Sequence, residues 1–229
     1  MTPSAVLGWW EDGERFLAGA LDGLVGQDLD HPSLLPGWPR RTVVAHVARN
    51  ADALDNLLTW ARTGDETPMY ASPQARDAAI TQTAGLPDAE LLADCRAAAQ
   101  RLAAAVRELP EAAWASEVRT AQGRTVPASE VPWMRCREVW VHAVDLDAGV
   151  GFGDIPDDVL TALIDDITRT WHRREEMPDV RLTSGAREWG AGPVTVTGDL
   201  SGLTAWVSGR SSADGLTVDG TLPEMPRWL

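Results

Sequence analysis

Glu138 and His142 lie four residues apart in the helix-like run Trp133–Asp145. Side chains at i and i+4 stack on one helix face, so a carboxylate and an imidazole placed there can hold one divalent ion. A third ligand must come from elsewhere. The chain has four histidines, His31, His46, His142 and His172, and His46 is the other one well inside an amphipathic pattern. A His, Glu, His set with an open fourth position is the pattern of a working zinc rather than a structural one. Two neutral imidazoles and one carboxylate leave such a complex with one positive charge, which lowers the pKa of a water or thiol in the fourth position. The plainer reading is that an i,i+4 Glu–His pair arises often by chance, and that a histidine on a bundle helix is usually the partner of a carboxylate. Zinc leads on ligand type, with manganese, nickel and ferrous iron left open.

The elements that must position these residues are mostly helical. Residues 3–25 carry Trp9, Trp10, Phe16, Leu17, Leu21 and Leu24 at helical spacing. Arg41–Arg62 is the clearest helix. Pro39 stands before it, Val43, Val44, Val47, Ala51, Leu54 and Leu58 form its apolar stripe, and Gly64 follows its end. A short helix is expected over Pro73–Thr83, and a long one from Asp88 to Leu109, stopped by Pro110. Glu111–Ala128 reads as irregular. A fourth long helix starts at Ser129, with Pro132 in its first turn, and runs to about Ala148. Four long helices with polar connections predict a four-helix bundle over residues 1–150. Gly149, Gly151, Gly153 and Pro156 then mark a domain boundary. Residues 151–229 read as a small α/β domain: a helix over Asp157–Arg174, strands over Val180–Ser184 and Pro193–Gly198, a helix over Leu200–Ser208 and a strand over Leu216–Leu222. The fold class is therefore α+β.

Composition removes several function classes. A net charge of −14 with no basic run argues against nucleic acid. All 20 basic residues are arginine, which rules out lysine Schiff-base chemistry and leaves arginine to hold any anionic substrate. Cys95 and Cys136 are too few for a disulfide framework or a cysteine zinc site. Cys136 is two positions from Glu138, so on a helix it points about 200° away from the carboxylate, as a small buried residue would. No apolar run reaches the roughly 20 residues of a membrane helix, and no secretory signal is visible, so a cytoplasmic location is expected. The oligomeric state stays open, a monomer being the simplest case. Eleven tryptophans against one tyrosine are expected to be core anchors.

Three arginines stand near candidate chemistry. Arg210 follows Gly209 at the end of the short helix before Ser211 and Ser212. It can reach over a pocket or simply answer the helix dipole. Arg124 lies in the loop Gln122–Pro127 and fits a site mouth, whereas Arg137 points off the metal face.

Longer stretches carry more specific information: Leu35–Trp38, Val44–Ala48, Thr63–Tyr70, Thr120–Glu130, Trp133–Leu146, Gly153–Pro156 and Pro226–Leu229. On these, the chain resembles the mycothiol-dependent maleylpyruvate isomerases of actinobacteria, in the DinB-like superfamily of metal-binding helical bundles. The resemblance implies a DinB-like N-terminal bundle with metal ligands at His46, Glu138 and His142, and a functional arginine in the C-terminal domain at Arg210. It implies zinc and mycothiol as cofactors and a small dicarboxylate substrate. The implied reaction is the cis-to-trans isomerisation of maleylpyruvate to fumarylpyruvate in gentisate degradation. Reversible thiolate addition would turn the double bond into a single bond that can rotate. The same bundle would equally serve a mycothiol S-transferase or a metal-dependent hydrolase, and a non-catalytic binding module is the third reading.

Overall fold

The computed structural model describes residues 3–228; Met1, Thr2 and Leu229, the last residue of the Pro226–Leu229 stretch, lie outside them. The chain divides into two compact units, the first ending at Gly149 and the second starting at Val150.

In the first unit, α1 spans Pro3–Gly23, α2 Arg40–Thr63, α3 Pro73–Ala84, α4 Asp88–Glu108 and α5 Val131–Asp145. Helix α2 is the hub. It packs against α3, α4 and α5, while α1 packs against α5. Its apolar stripe is buried from Val43 to Leu58, and so are His46 and Asn50. Gly64 ends it in the left-handed region, φ 79°, and returns its N–H to Trp60 O at 2.8 Å. Helices α1 and α5 approach closely because Gly13 has no side chain: a Cβ there would sit 2.6 Å from Val139 Cγ2 and 2.7 Å from Trp140 Nε1. The freed indole N–H donates to Trp9 O at 2.9 Å.

Helix α5 is shorter than the sequence pattern. Residues Ala128–Glu130 form a 3-10 turn and Pro132 falls in the first helical turn. At the other end Asp147 takes φ 52° and stops the helix. Arg40 clamps that end to the start of α2, with Nε donating to Leu146 O at 2.9 Å and its NH2 to Asp147 O at 2.6 Å. The region expected to be irregular holds an antiparallel hairpin, β1 (Glu117–Arg119) with β2 (Thr125–Pro127). Three-residue strands with one buried valine each, Val118 and Val126, are too short to show a period of two, and the terminal proline hides the second.

In the second unit, α6 covers Asp157–Arg173 and α7 Leu200–Val207. Its strands are β3 (Val180–Ser184), β4 (Arg187–Gly190), β5 (Val194–Thr197) and β6 (Thr217–Asp219), in the order β4-β3-β5-β6. The pair β3–β5 is parallel, with Val180 opposite Val194; the other pairs are antiparallel. Strand β4 escapes the pattern because Arg187 and Glu188 are exposed on an edge. Trp189 Nε1 ties this edge to α6 at Asp165 Oδ1, 2.6 Å, and Trp228 Nε1 ties the C-terminal segment to Asp166 Oδ2, 3.2 Å. Trp10, Trp133, Trp140, Trp171, Trp206 and Trp228 are all buried, so most of the tryptophans do anchor cores. The architecture is α+β: a helical N-terminal unit and a smaller α/β unit.

Candidate metal centre

Helix α2 carries His46 inward and α5 carries Glu138 and His142 one turn apart. Glu138 Oε2 lies 3.1 Å from His46 Nε2 and 3.3 Å from His142 Nε2. One ligand atom from each residue falls within 4.8 Å of the others, the only such group of three among the described residues. The imidazoles meet edge to face, 4.8 Å between centroids. Trp38 stands edge-on to His46 at 5.6 Å, and the buried carboxylate of Asp145 accepts from His142 Nδ1 at 2.8 Å.

The donor set suits zinc. Bonds of about 2.0–2.1 Å in a tetrahedral complex place neighbouring ligand atoms about 3.3 Å apart, and the two separations from Glu138, 3.1 and 3.3 Å, are of that size. With Nδ1 of His142 committed to Asp145, its Nε2 is the nitrogen left for an ion, the carboxylate–histidine arrangement common around zinc.

Electrostatics describe how the triad is held when protons stand in for the ion. Burial pushes His46 below the usual imidazole value, against the pull of Glu138. Burial also opposes charge on His142, but hydrogen bonds to Asp145 and Glu138 outweigh it and lift the ring to about 9. Glu138 resists the penalty of burial because both histidines bond to it, which holds it well below the ordinary carboxylate range. At neutral pH this gives an ionised glutamate, a charged His142 and a neutral His46. A metal entering the site would have to displace the His142 proton.

A cavity of about 300 Å³ lies in the same unit, lined by Trp60, Tyr70, Arg76, Arg119, Thr120 and Gly123 among others. Arg76 connects it to the triad, its NH2 donating to His46 Nδ1 at 3.3 Å. Tyr70 is the single tyrosine of the chain. Burial, and then the charge of Glu138, push its hydroxyl up to about 12, so it stays protonated.

The structure thus gathers His46, Glu138 and His142. Arg210 belongs to the second unit, just past α7, where its NH1 donates to Ser208 O at 2.7 Å and its backbone N–H to Ala205 O at 2.8 Å. Arg124 is exposed in the turn between β1 and β2. Cys136 is fully buried, and burial pushes the Cys95 thiol up to about 12, so Cys95 is no nucleophile. Sequence reading passed over Arg76 and gave Tyr70 no role. Arg76 sits in the first turn of a short helix without a motif; the signal that existed for Tyr70 was its being the lone tyrosine.

The model of the mycothiol maleylpyruvate isomerase N-terminal domain matches residues 10–147. Over its whole length the chain is similar to a crystal structure of a mycothiol-dependent maleylpyruvate isomerase: 42% identity, TM-score 0.93, with 100% of this chain and 98% of that one covered. A histidine-to-alanine mutant of such an isomerase is similar at 41% identity and TM-score 0.93, with the same coverage. Among curated proteins, none matches the chain. No helix among the described residues is long and apolar enough to cross a membrane. Full-length likeness at this identity, with the matched N-terminal domain enclosing the whole triad, places the chain in the mycothiol maleylpyruvate isomerase family.

Proposed function

We propose that this chain isomerises maleylpyruvate to fumarylpyruvate with mycothiol, as a step of gentisate degradation, and that His46, Glu138 and His142 hold a zinc ion for that reaction. The observation that carries the reading is the convergence of three ligand atoms within 4.8 Å, with Asp145 fixing the orientation of one of the rings. Bound there, zinc would supply positive charge that favours a thiolate over a thiol and offsets charge developing on the substrate's keto oxygen. Mycothiol would supply the sulfur, which adds to one alkene carbon and leaves again after rotation about the resulting single bond.

The protein's own contribution is orientation and charge. Asp145 holds His142 in one tautomer. Trp38, against the edge of His46, limits the tilt of that ring. Neither Cys95 nor Cys136 is exposed, which is consistent with a reaction that borrows its thiol. Arg210 is assigned a substrate carboxylate; its NH1 donates to Ser208 O, and a guanidinium has five N–H donors in all.

The test is turnover of maleylpyruvate by zinc-loaded protein with and without mycothiol. Fumarylpyruvate should form only with the thiol. Equal rates without it would overturn the reading, and conjugation of an alkyl halide or epoxide in place of isomerisation would move the assignment to a mycothiol S-transferase.

A further inference from the structure

The two histidines differ at their outer nitrogens. His142 Nδ1 meets a carboxylate, that of Asp145, at 2.8 Å. His46 Nδ1 meets a cation, Arg76, at 3.3 Å. A guanidinium has donors only and does not lose its proton, so His46 Nδ1 accepts in this arrangement and its Nε2–H donates to Glu138. His46 faces Glu138 and His142 with Nε2, the nitrogen available to an ion. A neutral imidazole that gives Nε2 to a metal carries its remaining hydrogen on Nδ1. That hydrogen would then point at an Arg76 N–H. Two donors cannot share the contact, so a loaded site turns the NH2 group of Arg76 away from His46.

The place it can turn to is the cavity it already lines. That cavity of about 300 Å³ is at the lower end of the range for small-molecule sites. Two guanidiniums line it, Arg76 and Arg119, against one carboxylate, Glu66. Glu66 is held only loosely, 3.6 Å from Arg119 with both side chains more than half exposed. Arg76 is also hydrogen-bonded to the Tyr70 side chain and paired with the exposed Asp77, at 2.9 Å. Tyr70, neutral and with its ring centroid 5.9 Å from the Arg76 carbon, adds a hydroxyl donor to the same wall. In a chain of net charge −14, a pocket whose lining has two guanidiniums to one carboxylate carries a net positive charge that suits an anion.

We infer that Arg76, with Arg119, forms a carboxylate-binding subsite in this cavity, and that metal loading arms it by releasing Arg76 from His46. The inference rests on the function proposed above for the nature of the ligand, a small dicarboxylate. Arg76 binds one carboxylate through its fork and thereby positions the substrate beside the metal centre. The coupling is reciprocal: an anion in the cavity draws Arg76 off His46 and favours the tautomer that holds the ion.

The experiment is calorimetric titration of maleate, a cis-dicarboxylate, into zinc-loaded and chelator-stripped protein, for the wild type, Arg76→Met, Arg76→Gln and Arg119→Met. Maleate should bind the loaded wild type at least about 10-fold more tightly than the stripped form. Loss of one charge-assisted contact costs about 10- to 100-fold in affinity, so both Arg76 variants should show that loss when loaded. Arg119→Met should lose less, since its side chain is more than half exposed. Zinc content should stay at the wild-type level in all three. Wild-type maleate affinity in loaded, folded Arg76→Met and Arg76→Gln would overturn the subsite; equal affinity of loaded and stripped wild type would overturn its arming by metal. Failure of the wild type to isomerise maleylpyruvate would sink the proposed function instead, and the maleate titrations would still decide the role of Arg76.

Discussion

Helix α5 buries two charged clusters about one turn apart, and they are built in opposite ways. Arg135 is completely buried, and its donors fan out. Nε reaches Glu14 Oε1 at 2.7 Å, while NH1 reaches Val47 O at 2.8 Å and Asn50 Oδ1 at 3.2 Å. Each of those hydrogens has its own acceptor on another helix, so the cluster ties α1, α2 and α5 together. Around Glu138 the atoms converge instead: two imidazole nitrogens and a carboxylate oxygen face one point, and only protons keep them from repelling or standing idle. Burial of charge is therefore a poor marker of a functional site. Convergence of lone pairs, with the outer atoms of the ligands fixed elsewhere, is a better one.

The sharpest way to break this contrast is to remove one member of each cluster. His46→Ala should empty the metal centre and cost turnover about 1000-fold or more, as loss of several kcal/mol of charge stabilisation would, while the protein stays folded. Zinc analysis and a maleylpyruvate assay check both halves, and a folded, metal-free variant with wild-type turnover would end the zinc account. Arg135→Ala should do the reverse. It leaves Glu14 without its buried partner and should cost about 3–5 kcal/mol of stability, read by urea denaturation, with zinc still bound at one ion per folded chain.

The pH dependence separates the clusters next. His142 rises to about 9 in the folded, metal-free protein, from an ordinary 6.5. Its stabilising effect is complete below pH 6.5 and is lost as the pH climbs through about 9. Chelated protein should thus lose on the order of 3 kcal/mol over that window, seen as a falling Tm. Zinc-loaded protein, whose His142 carries no proton at Nε2, should not show this loss, and its zinc affinity should increase up to about pH 9. A flat Tm in the chelated protein would mean that His142 is not held charged. Asp145→Asn is a finer cut, since it keeps the shape but removes the negative charge that faces His142 Nδ1–H. Zinc affinity should fall by about 10- to 100-fold in competition with a chromophoric chelator; unchanged affinity would remove Asp145 from the site. The smallest effect belongs to the exposed pair Arg96–Asp22, which joins α4 to α1 at 2.7 Å. Arg96→Ala should cost less than about 1 kcal/mol, and a larger loss would show that surface charge holds the bundle.

How much of this could be read from the chain varies with the range of the interaction. The triad was legible because Glu138 and His142 share one helix face and only four histidines compete for the third place. Asp145, three residues from His142, was visible as a neighbour, and its bond follows from the same helical geometry. Helices α2, α4 and α6 announced themselves through proline starts, glycine or proline stops and long periods. The β1–β2 hairpin and β4 did not, because three or four residues with one buried side chain give no period. Arg76 stayed invisible for a different reason. Its contact with His46 spans 30 residues of sequence and depends on how α3 docks on α2. Arg135 was hidden likewise, since a lone arginine among apolar neighbours says only that a partner exists, not that it is Glu14 on another helix.

The central claim is that His46, Glu138 and His142 together hold one divalent ion. Its most direct test is metal stoichiometry by mass spectrometry of wild-type protein and Glu138→Gln, each loaded with zinc and desalted. The wild type should carry one zinc per chain and Glu138→Gln almost none, since the amide loses the charge that both nitrogens face. A full equivalent of zinc in folded Glu138→Gln, or none in a fully active wild type, would contradict it.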